Sequence, residues 1–376
     1  MENCNYMKRT QCKLTTITPC HVGSGRILSH NIDFVTNGEE LGILDSQKIY
    51  EIIGETGINA WCNAIDKNEN IFELIRKTHS KIRLHDVCSH TTTMYGGSPN
   101  IKELREQFMS GGKSCIPGSS IKGAIVTAIL ASYPQDILKE LQNKDILGQV
   151  FQKTGPQTSI LRCLRVGDAN FDIQPETIAF NCVNLNIRSR QFLIDNKAQQ
   201  LVECIYTDEP SIFDIDLVNT NNQYSKALQQ YIGNIPEVMK SIDALFSCIN
   251  GHTLTLLNEE LRFWEERYND ERLEIDLDLL NEYTNQIKSI TEECKSAKES
   301  AIIRIGYGSG YNFITGNWYH RIHCDDQEWK NALNRIRPNN NRYTEFPYIK
   351  TRRIFYDCGL NYLDILPLGF ARISIA

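Results

Sequence analysis

Apolar residues recur along this chain at two periods. Leu257, Leu261, Trp264 and Tyr268 are spaced by 4, 3 and 4, and Leu280, Tyr283, Ile287 and Ile290 by 3, 4 and 3. Both series put their members on one helix face, so two amphipathic helices are predicted, broken near Asn269-Asp270. A mostly buried helix is predicted over Ile121 to Leu130, which is apolar and Ala-rich, with Ser119 or Ser120 as N-cap and Pro134 just beyond its end. Gln47 to Ile53 and Ile71 to Lys77 read as further helices. Period-two alternation marks Ile212 to Val218: Phe213, Ile215 and Leu217 point one way, while Asp214 and Asp216 are expected to face water. Lys13 to Ile17, Ile160 to Val166 and Ile178 to Ile187 read as strands. Asn31 to Val35 and Leu41 to Leu44 form a predicted hairpin with Asn37-Gly38 in its turn. Ile302 to Ile305 precedes a glycine-rich loop, and a final strand enters through a tight turn at Gly369. Strands and helices interleave in both halves, so the fold class is α+β.

Composition narrows this reading. The chain has 376 residues, 41% hydrophobic and 23% charged, which fits about two globular domains rather than a disordered chain. A boundary near Asn170 divides it into residues 1–170 and 171–376. No apolar run approaches the ~20 residues of a membrane span, and Met1 to Lys13 is polar, so a soluble cytoplasmic protein is expected. The 13 cysteines are spread evenly with no Cys-x-x-Cys, which predicts reduced, mostly buried thiols. His320, His323 and Cys324 form the best metal-like cluster, but they lack a second ligand pair. Neither a metal nor a cofactor is expected.

The net charge of −6 hides an uneven distribution. Asn258 to Glu299 carries 13 acidic and 6 basic residues, a balance of −7, which leaves +1 for the remainder. Ala301 to Ala376 carries 10 basic and 6 acidic residues. Local fields govern contact with a polyanion, so the net sign does not exclude RNA.

Several stretches bear on chemistry. Gly306-x-Gly308-x-Gly310 lacks both the spacing and the strand–loop–helix context of a dinucleotide site. Its glycines suit either a backbone-donating loop beside Tyr307, Tyr311 and Phe313, or a β-bulge over aromatic core residues. Gly112-Lys113-Ser114 resembles the tail of a P-loop, but position 107 is Gln and no helix follows, so ATP binding is rejected. Pro117-Gly118-Ser119-Ser120-Ile121-Lys122-Gly123 opens a helix whose unpaired amides, with Lys122, suit a phosphate; a plain capped helix explains the serines equally. His21 stands in a glycine loop as a candidate base or stacking residue. Asp33 is a lone carboxylate on a predicted strand. Lys350, Arg352 and Arg353 form a basic run next to Pro347 and Tyr348.

Together these stretches resemble a family. Thr18-Pro19-Cys20-His21-Val22-Gly23-Ser24-Gly25 resembles the opening signature of the RAMP proteins of CRISPR effector complexes. Ile116 to Gly123 is similar to their Pro-Gly-Ser-Ser-Leu-Lys-Gly helix start, and Ile305 to Tyr311 to their glycine-rich loop. Lys350-Thr351-Arg352-Arg353 followed by Pro367-Leu368-Gly369-Phe370 resembles most closely the branch that forms the fifth subunit of type III-A Csm complexes. The four stretches occur in the expected order from residue 18 to 370. Val126 departs from the family pattern, which has an arginine there.

The resemblance implies two ferredoxin-like, RNA-recognition-motif-related RAMP domains with helical insertions. It implies a non-catalytic subunit that caps the crRNA 3′ end and supports crRNA maturation in antiviral defence. Its implied partners are crRNA, the backbone RAMP subunit, the small helical subunit, target RNA through the complex, and host nucleases, with no membrane. The RNA-binding residues expected on this basis are His21, Gly23, Ser24, Gly25, Ser119, Ser120, Lys122, Arg304, Gly306, Tyr307, Gly308, Ser309, Gly310, Lys350, Arg352 and Arg353. Two rival readings are a repeat-RNA endoribonuclease using His21 and a target-RNA-cleaving subunit using Asp33.

Overall fold

The computed structural model describes residues 6–95, 102–134, 150–188, 191–219, 223–268, 274–313, 327, 351–358 and 363–376. The His320/His323/Cys324 cluster, Pro347, Tyr348 and Lys350 lie outside them. Among the described residues the chain builds two sheets, one of eight strands and one of ten.

The first sheet runs Ser300–Arg304, Phe370–Ile375, Met7–Thr16, Pro210–Val218, Ala169–Asn170, Lys113–Ile116 and Met109–Ser110, with Leu164–Val166 also on Pro210–Val218. The first strand of the chain is central. It pairs antiparallel with Pro210–Val218 (Cys12 opposite Phe213) and with the last strand (Leu14 opposite Ile373). The second sheet runs Gly23–Ser29, Glu103–Gln107, Gln191–Ile205, Thr177–Arg188, Cys88–Tyr95, Glu40–Leu44 and Phe34–Asn37. Thr351–Cys358 also pairs with Thr177–Arg188, Leu363–Pro367 with Thr351–Cys358, and the short strand Glu274–Ile275 with Gln191–Ile205. Both sheets draw strands from either side of residue 170, so the sheets themselves do not follow that division.

Six helices are described: α1 (Ser46–Asp66), α2 (Ile71–Thr78), α3 (Gly118–Ala131), α4 (Gln223–Ile232), α5 (Ile242–Tyr268) and α6 (Leu277–Ser296). Helix α3 is apolar on most sides and is buried accordingly. Its Ile121, Ile125, Ala128 and Ile129 share one core with Leu14, Ile215, Ile303 and Ile373 of the first sheet. Helix α5 joins two cores. Leu245, Phe246 and Ile249 enter that first core, whereas Leu257 and Trp264 pack with Leu280, Tyr283, Ile287 and Ile290 of α6 in a second. Burying side chains of this size is worth ~1.5–3 kcal/mol each.

The structure corrects several sequence expectations. Ile160–Cys163 is a 3₁₀ turn before the short strand Leu164–Val166, because Ser159 Oγ accepts from the Leu161 amide at 3.3 Å. Asn31 to Asp33 form a turn rather than strand, with Asn31 at φ +64° and Asp33 Oδ2 accepting from the Ser29 amide at 2.8 Å. Asp214 and Asp216 are not simply solvated: Arg9 lies 3.5 and 3.1 Å from them. Tyr268 is exposed, so the apolar stripe of α5 ends at Trp264. Gly111 and Gly112, at φ +60° and +79°, form the turn of a tight hairpin with Ser110 opposite Lys113. A two-residue hairpin turn favours positive φ at both positions, which accounts for Gly112-Lys113-Ser114 without a nucleotide.

The cysteines whose side chains are described are free thiols, buried except for Cys62 and the half-buried Cys248. Burial pushes Cys12 and Cys20 up to about 12. Among the described residues no helix is long and apolar enough to cross a membrane.

Candidate nucleic-acid interface

The structure brings the loop after the first strand against the glycine loop after Ser300–Arg304. The Tyr307 amide donates to the His21 carbonyl at 2.8 Å, and the Gly369 amide to the Pro19 carbonyl at 3.0 Å. Glycine is required where these segments touch. A Cβ on Gly306 would lie 2.1 Å from the His21 oxygen, and one on Gly308 2.8 Å from Leu368 Cδ1. Each loop also carries a glycine facing open space: Gly25 (φ +86°) and Gly310 (φ +78°) are exposed, with nothing within 4 Å of a Cβ position. The inner glycines thus fasten the loops together, and the outer ones leave main chain accessible to a ligand.

His21 is a joint in this corner. Its ring is 3% exposed, with Nδ1 2.6 Å from the Glu203 carbonyl and Nε2 under Gly23. Burial holds its pKa below the usual histidine value, only partly offset by the Glu203 carbonyl. The expectation that His21 stacks on a base is corrected, because a ring this enclosed presents no free face. Ser309 is likewise internal, its Oγ donating to the Gly306 carbonyl at 2.8 Å. Ser24 Oγ donates to Glu106 at 2.8 Å, which sets a carboxylate rather than a phosphate on that hydroxyl.

Three expected phosphate-binding cations are committed to the protein. Arg304 is buried, donates to the Leu368 and Gly308 carbonyls at 2.8 and 3.2 Å, and lies over Phe313 and Phe370. Lys122 donates to the Leu161 and Leu164 carbonyls at 2.9 and 2.6 Å, and burial lowers its pKa. Arg352 forms a fork on Glu260, with Nε 2.7 Å from Oε1 and Nη2 2.8 Å from Oε2. Glu260 also accepts from Trp264 Nε1 and Tyr283 Oη at 2.8 and 2.9 Å. Burial alone would raise the Glu260 carboxyl; Arg352 and these donors outweigh it and hold the carboxyl below its ordinary value. One residue of the acidic α5–α6 block therefore faces inward.

The start of α3 also differs from the expected phosphate cradle. The Gly118 amide donates to Asp168 Oδ1 at 2.7 Å, so a carboxylate already serves the positive end of the helix. Gly118 is needed there because a Cβ would meet the Val166 and Gly167 carbonyls at 2.4 and 2.5 Å. Ser119 remains exposed and Ser120 half-buried. Val126 is buried in the first core, where an arginine could not reach solvent without repacking.

Arg353 behaves differently from its neighbour. Adjacent strand residues point to opposite faces, so Arg352 turns to the helices and Arg353 to Tyr307. The Arg353 guanidinium lies 4.6 Å from the Tyr307 ring centre, and that of Arg105 5.4 Å. Gln200 Oε1 accepts from Arg105 Nε (2.9 Å), from Arg353 Nη1 (3.0 Å) and from the Tyr307 hydroxyl. The Tyr307 ring is therefore occupied by guanidinium groups rather than open to a base. Sequence reading missed Arg105 and Gln200; each is an ordinary polar residue within its strand, and only strand order brings them together. Asp33 is held in its turn by the Ser29 amide, and no group of three or more potential metal ligands occurs among the described residues.

Comparison with known proteins agrees with this fold. A solved structure titled as a Csm–crRNA–target RNA ternary complex of a type III-A CRISPR-Cas system contains a similar chain, with a TM-score of 0.67 at 17% identity, covering 97% of this chain and 100% of that one. The crystal structure of T. onnurineus Csm5 is similar with a TM-score of 0.56 at 16% identity, covering 96% and 99%. No curated protein matches the sequence. The family model of the RAMP superfamily matches residues 13–356. With that match covering most of the chain and both glycine loops, the chain belongs to the RAMP superfamily.

Proposed function

We propose that this protein is a non-catalytic crRNA-binding subunit of a type III-A Csm interference complex, placed at the guide 3′ end beside the backbone subunit. The observation that carries this reading is the corner itself. Inner glycines pin the loops at His21 and Leu368, and outer glycines Gly25 and Gly310 leave main chain exposed. Contact through the backbone reads a ribose-phosphate strand by shape and ignores base identity, which suits a subunit that accepts any guide sequence. The family membership and the whole-length fold similarity to chains of a Csm complex support the same reading.

The residues proposed for RNA contact are Gly23, Gly25, Ser119, Ser120, Gly310 and Arg353, with Gly306, Gly308 and Tyr307 shaping the loop. His21 supports a positioning role rather than catalysis, because a base must reach its substrate and this ring is enclosed. Asp33 is likewise held as a turn residue.

The test is assembly of the complex with and without this chain. Its omission should shorten or fray guide 3′ ends while the opposite end stays unchanged. Normal 3′ ends and normal subunit stoichiometry without it would overturn the reading. Incubation of the purified chain with repeat RNA, with and without divalent metal, checks for cleavage; none is expected.

A further inference from the structure

Arg105, Gln200, Tyr307 and Arg353 come from four separate segments. Strand order explains their meeting. Glu103–Gln107 lies beside Gln191–Ile205, which pairs with Thr177–Arg188, and Thr351–Cys358 pairs with the far side of that strand. In this order Gln200 stands opposite Cys182 and Arg353 opposite Asn184. Tyr307 packs against the apolar cluster of Phe180, Cys182 and Phe355 and so fixes the position of the glycine loop here.

The charge balance of this group is unusual. Two guanidinium groups of one sign share a single ring and a single amide oxygen. Among the described residues no carboxylate lies within ion-pair distance of either, whereas Arg9 has two and Arg26, Arg352 and Arg372 each have one. Burial, with a contribution from Arg105, lowers the Arg353 pKa. Each arginine spends one N–H on Gln200 and keeps further donors free in a fixed fork. Both are half-buried, so they are neither dispersed in solvent nor sealed in the core. Tyr307 and Gln200 keep the pair together despite like-charge repulsion.

We infer that Arg105 and Arg353 form a binding site for one internucleotide phosphate, with Gln200 and Tyr307 as positioning residues. A phosphodiester bridging the forks would accept the unused N–H groups and cancel the repulsion. The inference rests on the RNA-binding reading above. It adds a specific side-chain anchor to a corner otherwise built from main chain.

The test uses the full chain and a fluorescein-labelled single-stranded oligoribonucleotide, with anisotropy measured over a range of KCl. R353Q and R105Q should each weaken binding about tenfold, the usual scale for charge-assisted hydrogen bonds. The slope of log affinity against log salt should fall by about 0.7 for one phosphate lost. The double variant should lose no more slope than that, because both arginines serve one phosphate. R353K should keep the slope and lose affinity severalfold, since it keeps the charge without the fork. R372Q should bind as wild type, and circular dichroism confirms that each variant is folded. A folded double variant with wild-type affinity and slope would overturn the inference while leaving the RNA-binding reading intact. If inorganic phosphate raises the wild-type Tm but not that of the double variant, and RNA affinity is unchanged by the substitutions, the site takes free phosphate and the backbone assignment is wrong. Variants that bind RNA normally but fail to assemble would assign the pair to a partner's carboxylate, also overturning it. Wild-type chain with no RNA affinity, alone or assembled, would remove the RNA-binding reading and this inference with it.

Discussion

The Tyr307 amide donates to the His21 carbonyl at 2.8 Å, and the two rings meet edge-on with centres 5.7 Å apart. One residue follows the strand Met7–Thr16 and the other the strand Ser300–Arg304, and the last strand, Phe370–Ile375, lies between those two in the first sheet. The relationship holds the His21 main chain in place, and Gly306 is the residue that permits the contact.

The glycines should therefore separate by experiment. Gly306→Ala combines φ +75° with a Cβ 2.1 Å from the His21 oxygen, and should cost roughly 2–4 kcal/mol in urea unfolding. Gly310→Ala meets no neighbour and should cost only about 1 kcal/mol, from the left-handed backbone alone. Its effect should fall on RNA affinity instead. Equal stability losses at both positions would contradict the division into inner and outer glycines.

The Glu260–Arg352 pair should be strongly coupled. Both side chains are about one-tenth exposed, at 11% and 10%. Removing either partner takes from the other the opposite charge it forks with in a buried site, so Glu260→Gln and Arg352→Met should each cost about 3 kcal/mol. The double substitution should cost clearly less than the sum. RNA affinity of the folded variants should not change, because Arg352 faces the helices. A double-mutant cycle by urea unfolding, with anisotropy on the same proteins, checks both parts.

Asp168 should act on stability rather than on anion binding. Asp168→Ala removes the carboxylate that accepts from the Gly118 amide at 2.7 Å, and should cost about 1 kcal/mol, the usual scale for a lost cap. The measurement is urea unfolding at neutral pH, and a gain in stability would show that the carboxylate is repelled there.

The histidines give stability two opposed pH dependences. Burial lowers the pKa of His21 and of His30. The unfolded chain therefore binds more protons at these positions once the pH falls below about 6.5, and folding weakens with acid. Burial also acts to lower His90, but its hydrogen bond to Glu203, at 2.8 Å, reverses this and raises it. That contribution is complete below about pH 6.5 and fades as pH rises through the raised folded value. His21→Asn should flatten the acid loss, and His90→Gln should flatten the alkaline decline. Unfolding free energies from pH 5 to 8.5 test both signs.

Much of the fold was legible because helical periodicity is a local property. Leu280, Tyr283, Ile287 and Ile290 are all buried on α6, as their spacing predicted. Local signals also identified the Gly38 turn and the final strand after Gly369. Partners remote in sequence were not legible. Nothing in the run Thr351-Arg352-Arg353 tells which arginine meets Glu260 and which meets Gln200; that follows from strand parity and from the sheets' strand order. The helix start at Gly118 looked available to phosphate because Asp168 lies far along the chain. Arg304 looked like a contact because a basic residue beside a glycine loop normally faces water, whereas here the carbonyls of Gly308 and Leu368 turn inward to meet it.

The central claim is best tested by placing 4-thiouridine at the 3′-terminal positions of the guide, assembling the complex, crosslinking, and identifying the attached peptides by mass spectrometry. Crosslinks should concentrate in the segments holding Gly23 to Gly25 and Gly306 to Gly310. Crosslinks confined to α1, α2 or the outer faces of α5 and α6, with none in the two glycine segments, would contradict it.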